Sequence, residues 1–209
     1  MHSSLVNNWR VPVLLFLVLL LPGSLLTACQ RDSTPMPTPS AAELQAEEAR
    51  VYTALFDEIY GEPRMYVLSE QSTPGMEGAE ALESIIETYL PRFTELETGT
   101  AENFRLRNET AASLPADMEL GPPYILLTDS DFRQIFALNT SGWSMFYDRY
   151  PNSPGMTTVS RVGFNDDLTQ ALLYAATWSN WLAGSGQYYL LEKVDGTWQI
   201  IQQVMAWIS

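Results

Sequence analysis

Gln187-Tyr188-Tyr189-Leu190-Leu191-Glu192-Lys193-Val194-Asp195-Gly196-Thr197-Trp198-Gln199-Ile200-Ile201 decides the fold class. Two runs rich in aromatic and β-branched residues flank Asp195-Gly196, the dipeptide that favours a two-residue turn with positive φ at both positions. Val194 and Thr197 should therefore face each other across a hairpin of strands 187–194 and 197–208. Working backward, residues 158–164 and 169–178 read as two further strands, which makes an antiparallel meander of about four.

Upstream, the period changes from two to about 3.6. Ser40-Ala41-Ala42-Glu43 fits a capping box, in which the serine hydroxyl and the glutamate satisfy each other's orphan backbone donors. A helix over 41–60 follows, with Leu44, Val51, Leu55 and Ile59 as its apolar stripe and Gly61 as its stop. A second amphipathic helix spans 79–90, ended by Pro91. Shorter helices are expected from Thr100 to Arg107, from an Asp129 or Ser130 cap to Leu138, and over 142–150. Short apolar runs at 65–68 and 124–127 read as strands, and 110–123, with three prolines, as irregular chain. The expected class is α+β: N-terminal amphipathic helices packed on a C-terminal antiparallel β-meander, in one domain over 41–209.

The chain has 25 acidic and 11 basic residues, for a net charge of −14. Such a surface is repelled by nucleic acid, so a nucleic-acid partner is not expected. The only histidine is His2 and the only cysteine is Cys29. Downstream of residue 29 there is no imidazole base, no free thiolate and no disulfide. Ser-His-Asp and Cys-His nucleophiles and histidine zinc sites are excluded there. No catalytic residue, metal ligand or cofactor motif is assigned. Gly184-Ser185-Gly186 lacks the length and following helix of a phosphate loop and reads as a turn between strands.

Residues 1–28 have the features of an export signal: Arg10, an apolar run from Val11 to Leu21, then Pro22-Gly23-Ser24. The apolar run is shorter than the roughly 20 residues a membrane-spanning helix needs. Leu26-Thr27-Ala28-Cys29 resembles the lipobox of bacterial lipoproteins. That resemblance implies cleavage before Cys29, lipidation of its thiol and retention on the outer face of a bacterial membrane. Residues 29–40, with Pro35, Pro37 and Pro39, then form an extended tether.

Three groups of residues remain as candidate sites. Asp129-Ser130-Asp131 and Asn165-Asp166-Asp167 hold the oxygens that hard cations need, and also suit a helix cap and a turn. Trp143, Phe146, Tyr147 and Tyr150 share one helix face, which suits core packing or stacking on a sugar or apolar ligand. Trp178 and Trp181, at a strand-to-loop junction, suit the extension of either a core or a ligand platform. Arg161, in an apolar stretch, needs a carboxylate partner if covered, with Asp148 or Glu192 as candidates. Its alternative role is a clamp for an anionic ligand. The candidate ligand-binding set is Trp143, Tyr147, Arg161 and Trp178.

The region from Gly142 onward resembles a family of uncharacterised bacterial exported proteins. The residues that carry the likeness include Gly142-Trp143, Phe146-Tyr147, Tyr150-Pro151, Ser160-Arg161-Val162-Gly163-Phe164-Asn165, Thr169-Gln170-Ala171-Leu172 and Gly196-Thr197-Trp198. The resemblance implies a shared domain and transfers no activity. The last hairpin is loosely similar to the closing strands of nuclear-transport-factor-like and cystatin-like sheets. Three functions fit: a membrane-tethered envelope domain that binds a ligand or protein, a histidine-independent glycan hydrolase using paired carboxylates, or a purely structural assembly lipoprotein.

Overall fold

Ser40 opens the fold. Its Oγ accepts from Glu43 N at 3.2 Å, and Glu43 Oε2 accepts from Ser40 N at 2.8 Å, so the capping box forms as expected. The structure, a computed structural model, describes residues 39–60, 65–75, 78–115, 118–121, 123–137 and 141–209, all within the unit Met36–Ser209. The export signal, Cys29 and the tether through residue 38 lie outside the described residues.

Helix α1, Ala41–Tyr60, is followed by strand β1, Tyr66–Ser69, helix α2, Gly78–Tyr89, a 3₁₀ turn, Leu90–Arg92, and helix α3, Thr98–Arg107. Strand β2, Tyr124–Leu127, and helices α4, Asp129–Phe136, and α5, Gly142–Arg149, come next. The chain ends in strands β3, Met156–Val159, β4, Gly163–Phe164, β5, Gln170–Asn180, β6, Ala183–Val194, and β7, Thr197–Ile208.

The α+β class holds, but the sheet is larger than expected and the helices are not segregated ahead of it. Seven strands join in the order β2-β1-β3-β5-β6-β7, with β4 also on β5. β1 and β2 come from the helical half, and β1 lies parallel to both β2 and β3. The remaining pairs are antiparallel. Parallel neighbours need long crossovers, so no local turn signal announces them.

Alternation along the strands divides the core. On one face, α1 buries Val51, Tyr52, Leu55 and Phe56 against Leu68, Val159, Leu173, Leu191 and Trp198. On the other, α2 and α3 cover Leu172, Tyr174, Tyr188 and Leu190. There α4 and α5 cover Val67 and Trp178. No helix among the described residues is long and apolar enough to cross a membrane.

The Asp195-Gly196 turn is as expected. Both residues have positive φ, 50° and 81°, and Val194 pairs with Thr197. Gly184-Ser185-Gly186 is not a turn. It lies inside β6, where the missing side chains leave room for Tyr174 and Trp207. The turn before β6 is Trp181-Leu182, between the paired Asn180 and Ala183. The expected strand over 158–164 is broken at 160–162.

Two caps also differ. Thr128, not Asp129 or Ser130, caps α4, its Oγ1 accepting from Asp131 N at 3.1 Å. α3 starts at Thr98 rather than Thr100, with Glu97 at its N-cap position, and the Thr100 hydroxyl donates to Gln170 Oε1 at 2.9 Å instead of capping the helix.

Candidate functional site

The break at 160–162 organises one end of the molecule. Ser160 holds to β5 twice: its N donates to Tyr174 O and its Oγ accepts from Tyr174 N. Beyond it, side chains replace the sheet ladder. Arg161 N donates to Asn108 Oδ1 at 2.9 Å, and Arg161 O accepts from Asn108 Nδ2 at 3.0 Å. Val162 N donates to Glu48 Oε1 at 3.0 Å, and Phe164 N to Asn103 Oδ1 at 2.9 Å. Tyr52 Oη donates to Ser160 O at 2.8 Å. Gly163 lets α3 come this close, since a Cβ there would sit 2.5 Å from Phe104 N.

Glu48 is the hub, only 1% exposed. Its carboxylate accepts from Arg161 Nε at 2.7 Å and Arg161 Nη2 at 2.8 Å, a two-point grip, and from Arg107 Nη2 at 2.8 Å. Arg161 thus pairs with Glu48, not with Asp148 or Glu192. It leaves the strand direction at the break and faces α1. Hydrogen bonding to Glu48 raises the Arg161 pKa, whereas burial lowers that of Arg107. Both remain cations at neutral pH. One buried carboxylate between two partly buried guanidiniums gives the triad one net positive charge in an acidic protein. Burial also pushes the Tyr52 hydroxyl well above its ordinary range, so it stays a neutral donor.

The triad floors a cleft of about 610 Å³ between α1, α3 and the segment 113–115. A larger cleft, about 900 Å³, runs along α1 to the β6–β7 turn, with Asp57, Glu58, Glu119 and Trp198 among its walls. At this end Glu47 also accepts from Trp198 Nε1 at 3.0 Å and pairs with Lys193 at 2.7 Å.

Trp143, Tyr147 and Trp178 gather elsewhere, in the cluster under α4 and α5. Arg161 is not with them, so the expected four-residue set divides into three and one. Trp143, Phe146 and Tyr150 are buried, while Tyr147 is half-buried and donates from Oη to Ser179 O at 2.9 Å. Trp178 lies against Trp207, ring centroids 4.2 Å apart. Phe136 touches both Trp143 and Trp181 edge-on, at 5.2 and 5.7 Å. Trp143 Nε1 is buried without a hydrogen-bond partner among the described residues. Beyond this group the hairpin tip is bare: Trp181 is 50% exposed and Leu182 85%.

Both acidic motifs serve local structure. Asp131 bonds Thr128 Oγ1 and Arg149 Nη2, and Asn165 Oδ1 accepts from Thr169 N and Gln170 N to shape its turn. Among the described residues, no three His, Cys, Asp or Glu side chains gather as a metal site.

Glu48, Arg107 and Leu182 are the residues that sequence patterning does not single out, whereas Trp181 is marked there as an extension of the aromatic group. One signal is there to find. Glu48 follows Leu44 by four and precedes Val51 by three and Leu55 by seven, so a charge sits within the apolar stripe of α1. No protein-family model, no curated protein and no solved structure matches this chain.

Proposed function

We propose that this chain is an exported lipoprotein, held through lipidated Cys29 on the outer face of a bacterial membrane, that acts by binding a protein partner at its aromatic end. The observation that carries the reading is the exposed Trp181-Leu182 tip, continuous with Phe136, Trp143, Tyr147 and Trp178. Large aromatic side chains exposed beside a packed aromatic base are what interface hot spots are made of.

Placement supports it too. Ala42, near the end of the tether, lines the same cleft as Gly196 at one end of β6. Trp181-Leu182 lies at the other end of that 12-residue strand, about 37 Å away at the usual rise. Within the domain, the tip and the start of α1 thus lie toward opposite ends of β6. The lipobox and export signal support the anchoring, since two or more acyl chains hold a soluble domain stably.

Two experiments test the two halves. Cys29→Ser is expected to leave the protein unprocessed or released from membranes; undiminished processing and retention would remove the lipoprotein reading. A photo-crosslinker in place of Leu182 is expected to trap a discrete protein in intact cells, and Trp181→Ser in the same chain to abolish the adduct. An adduct that survives Trp181→Ser, or none at all, would remove the docking reading. The glycan-hydrolase reading would instead draw on Asp57, Glu58 and Glu119 of the larger cleft. Release of soluble glycan that is lost in Glu119→Gln would favour it.

A further inference from the structure

We infer that the cleft floored by Arg107 and Arg161 is a second, separate site, which takes a small organic carboxylate with a short apolar body. Three observations converge on it. The first is charge. Glu48 neutralises one guanidinium of the two, and the triad keeps one net positive charge at 1% exposure of its only acid. Other acids of α1 and α3 are engaged elsewhere: Glu47 with Arg50 and Lys193, and Glu102 with Arg105, which also pairs with Glu109 just past α3.

The second is unused hydrogen-bonding capacity. Glu48 occupies Nε and Nη2 of Arg161 and Nη2 of Arg107. These bonds to Glu48 leave Nη1 of both arginines outside the grip, while Arg107 Nε is buried without a partner among the described residues and out of a ligand's reach. An arginine pair fixed by one carboxylate is pre-oriented to receive a second one, because the guanidinium fork matches carboxylate geometry.

The third is shape. Both arginines line the cleft, and so do Leu44, Leu114 and Pro115. At about 610 Å³ the space exceeds the room an inorganic anion fills, and part of its wall is apolar. A monoanion matches the single positive charge, and an apolar tail matches the wall. The site is independent of the aromatic end, so loss of partner docking there leaves it untouched.

The test uses the full-length chain in detergent, titrated with hexanoate, hexanol and inorganic phosphate by calorimetry, with arginine Nε resonances followed by NMR. Hexanoate is expected to bind saturably and to shift the Arg107 and Arg161 signals, while hexanol does neither. Arg107→Gln should weaken hexanoate by about tenfold or more, the loss of one charge-assisted hydrogen bond. Gln45→Trp, which keeps both guanidiniums and fills the cleft from the exposed face of α1, should weaken it as well. It keeps the test decisive if Arg107→Gln does not fold. The inference is overturned if hexanoate leaves the arginine signals in place, if hexanol binds equally, or if Gln45→Trp binds like wild type. Phosphate binding without hexanoate binding overturns the assignment of an organic carboxylate.

Discussion

The two ends of β6 are built on opposite principles. At the Asp195-Gly196 end, buried charge is paired, chiefly with partners far along the chain: Glu48 with Arg107 and Arg161, Glu47 with Lys193. At the Trp181-Leu182 end, rings pack on rings and the outermost apolar side chains stand in solvent. Water explains the contrast. Charges taken from water need compensation within the fold, so the buried acids at that end are met by the protein's own cations. Apolar surface left in water is a cost that the described residues do not relieve, and the docking proposed for the other end would relieve it.

Glu48→Leu is the change that breaks the charged end hardest. It strands two cationic side chains and the Val162 amide, and should lower unfolding free energy by about 3–5 kcal/mol in urea titration. A smaller loss would mean that the arginines recover full hydration. Gly196→Val comes next. Nothing crowds the position, yet φ is 81°, which a β-branched residue resists, at a cost of roughly 1–3 kcal/mol. Gly196→Asn should stay close to wild type, which separates turn geometry from side-chain size.

Acid should weaken the charged end by a smaller amount. Burial works to raise the Glu47 pKa, but hydrogen bonds from Lys193 and Trp198 together with the charges of Lys193 and Arg50 hold it below the ordinary 4.5. A carboxylate lowered on folding stabilises above its unfolded pKa, and that stabilisation disappears as pH falls through the folded value. The melting temperature should therefore drop as pH falls below about 4.5, and Glu47→Gln should flatten that drop. Leu182→Ser should change least, within about 0.5 kcal/mol, because the side chain is exposed. A larger loss would show that the tip is held by contacts within the protein, against the docking reading.

Elements made by neighbours along the chain are legible in the amino-acid sequence itself. Ser40 and Glu43 are three residues apart, and Val194 and Thr197 close a two-residue turn. The Trp143–Phe146–Tyr150 stripe is legible as one helix face, and its burial is the plainer of the two roles its spacing allows. The second hairpin leaves no such trace, because Trp181-Leu182 carries no turn chemistry; its two strands pair through their length and force the reversal. The break at 160–162 is hidden for a related reason. Ser160-Arg161-Val162 has strand propensity, but the amides of Arg161 and Val162 find Asn108 and Glu48 instead of a neighbouring strand.

Composition and short-range patterning suffice for the Ser40 capping box, the Asp195-Gly196 turn, the α+β class and the exclusion of imidazole and thiol chemistry downstream of Cys29. Each depends on residue content or on contacts a few residues long. The parallel entry of β1 and β2 into the sheet, and the meeting of Glu48 with Arg107 and Arg161, 59 and 113 residues away, belong to the folded chain alone. Those choices depend on which faces bury against which, a global balance of apolar area and charge compensation that no local pattern encodes.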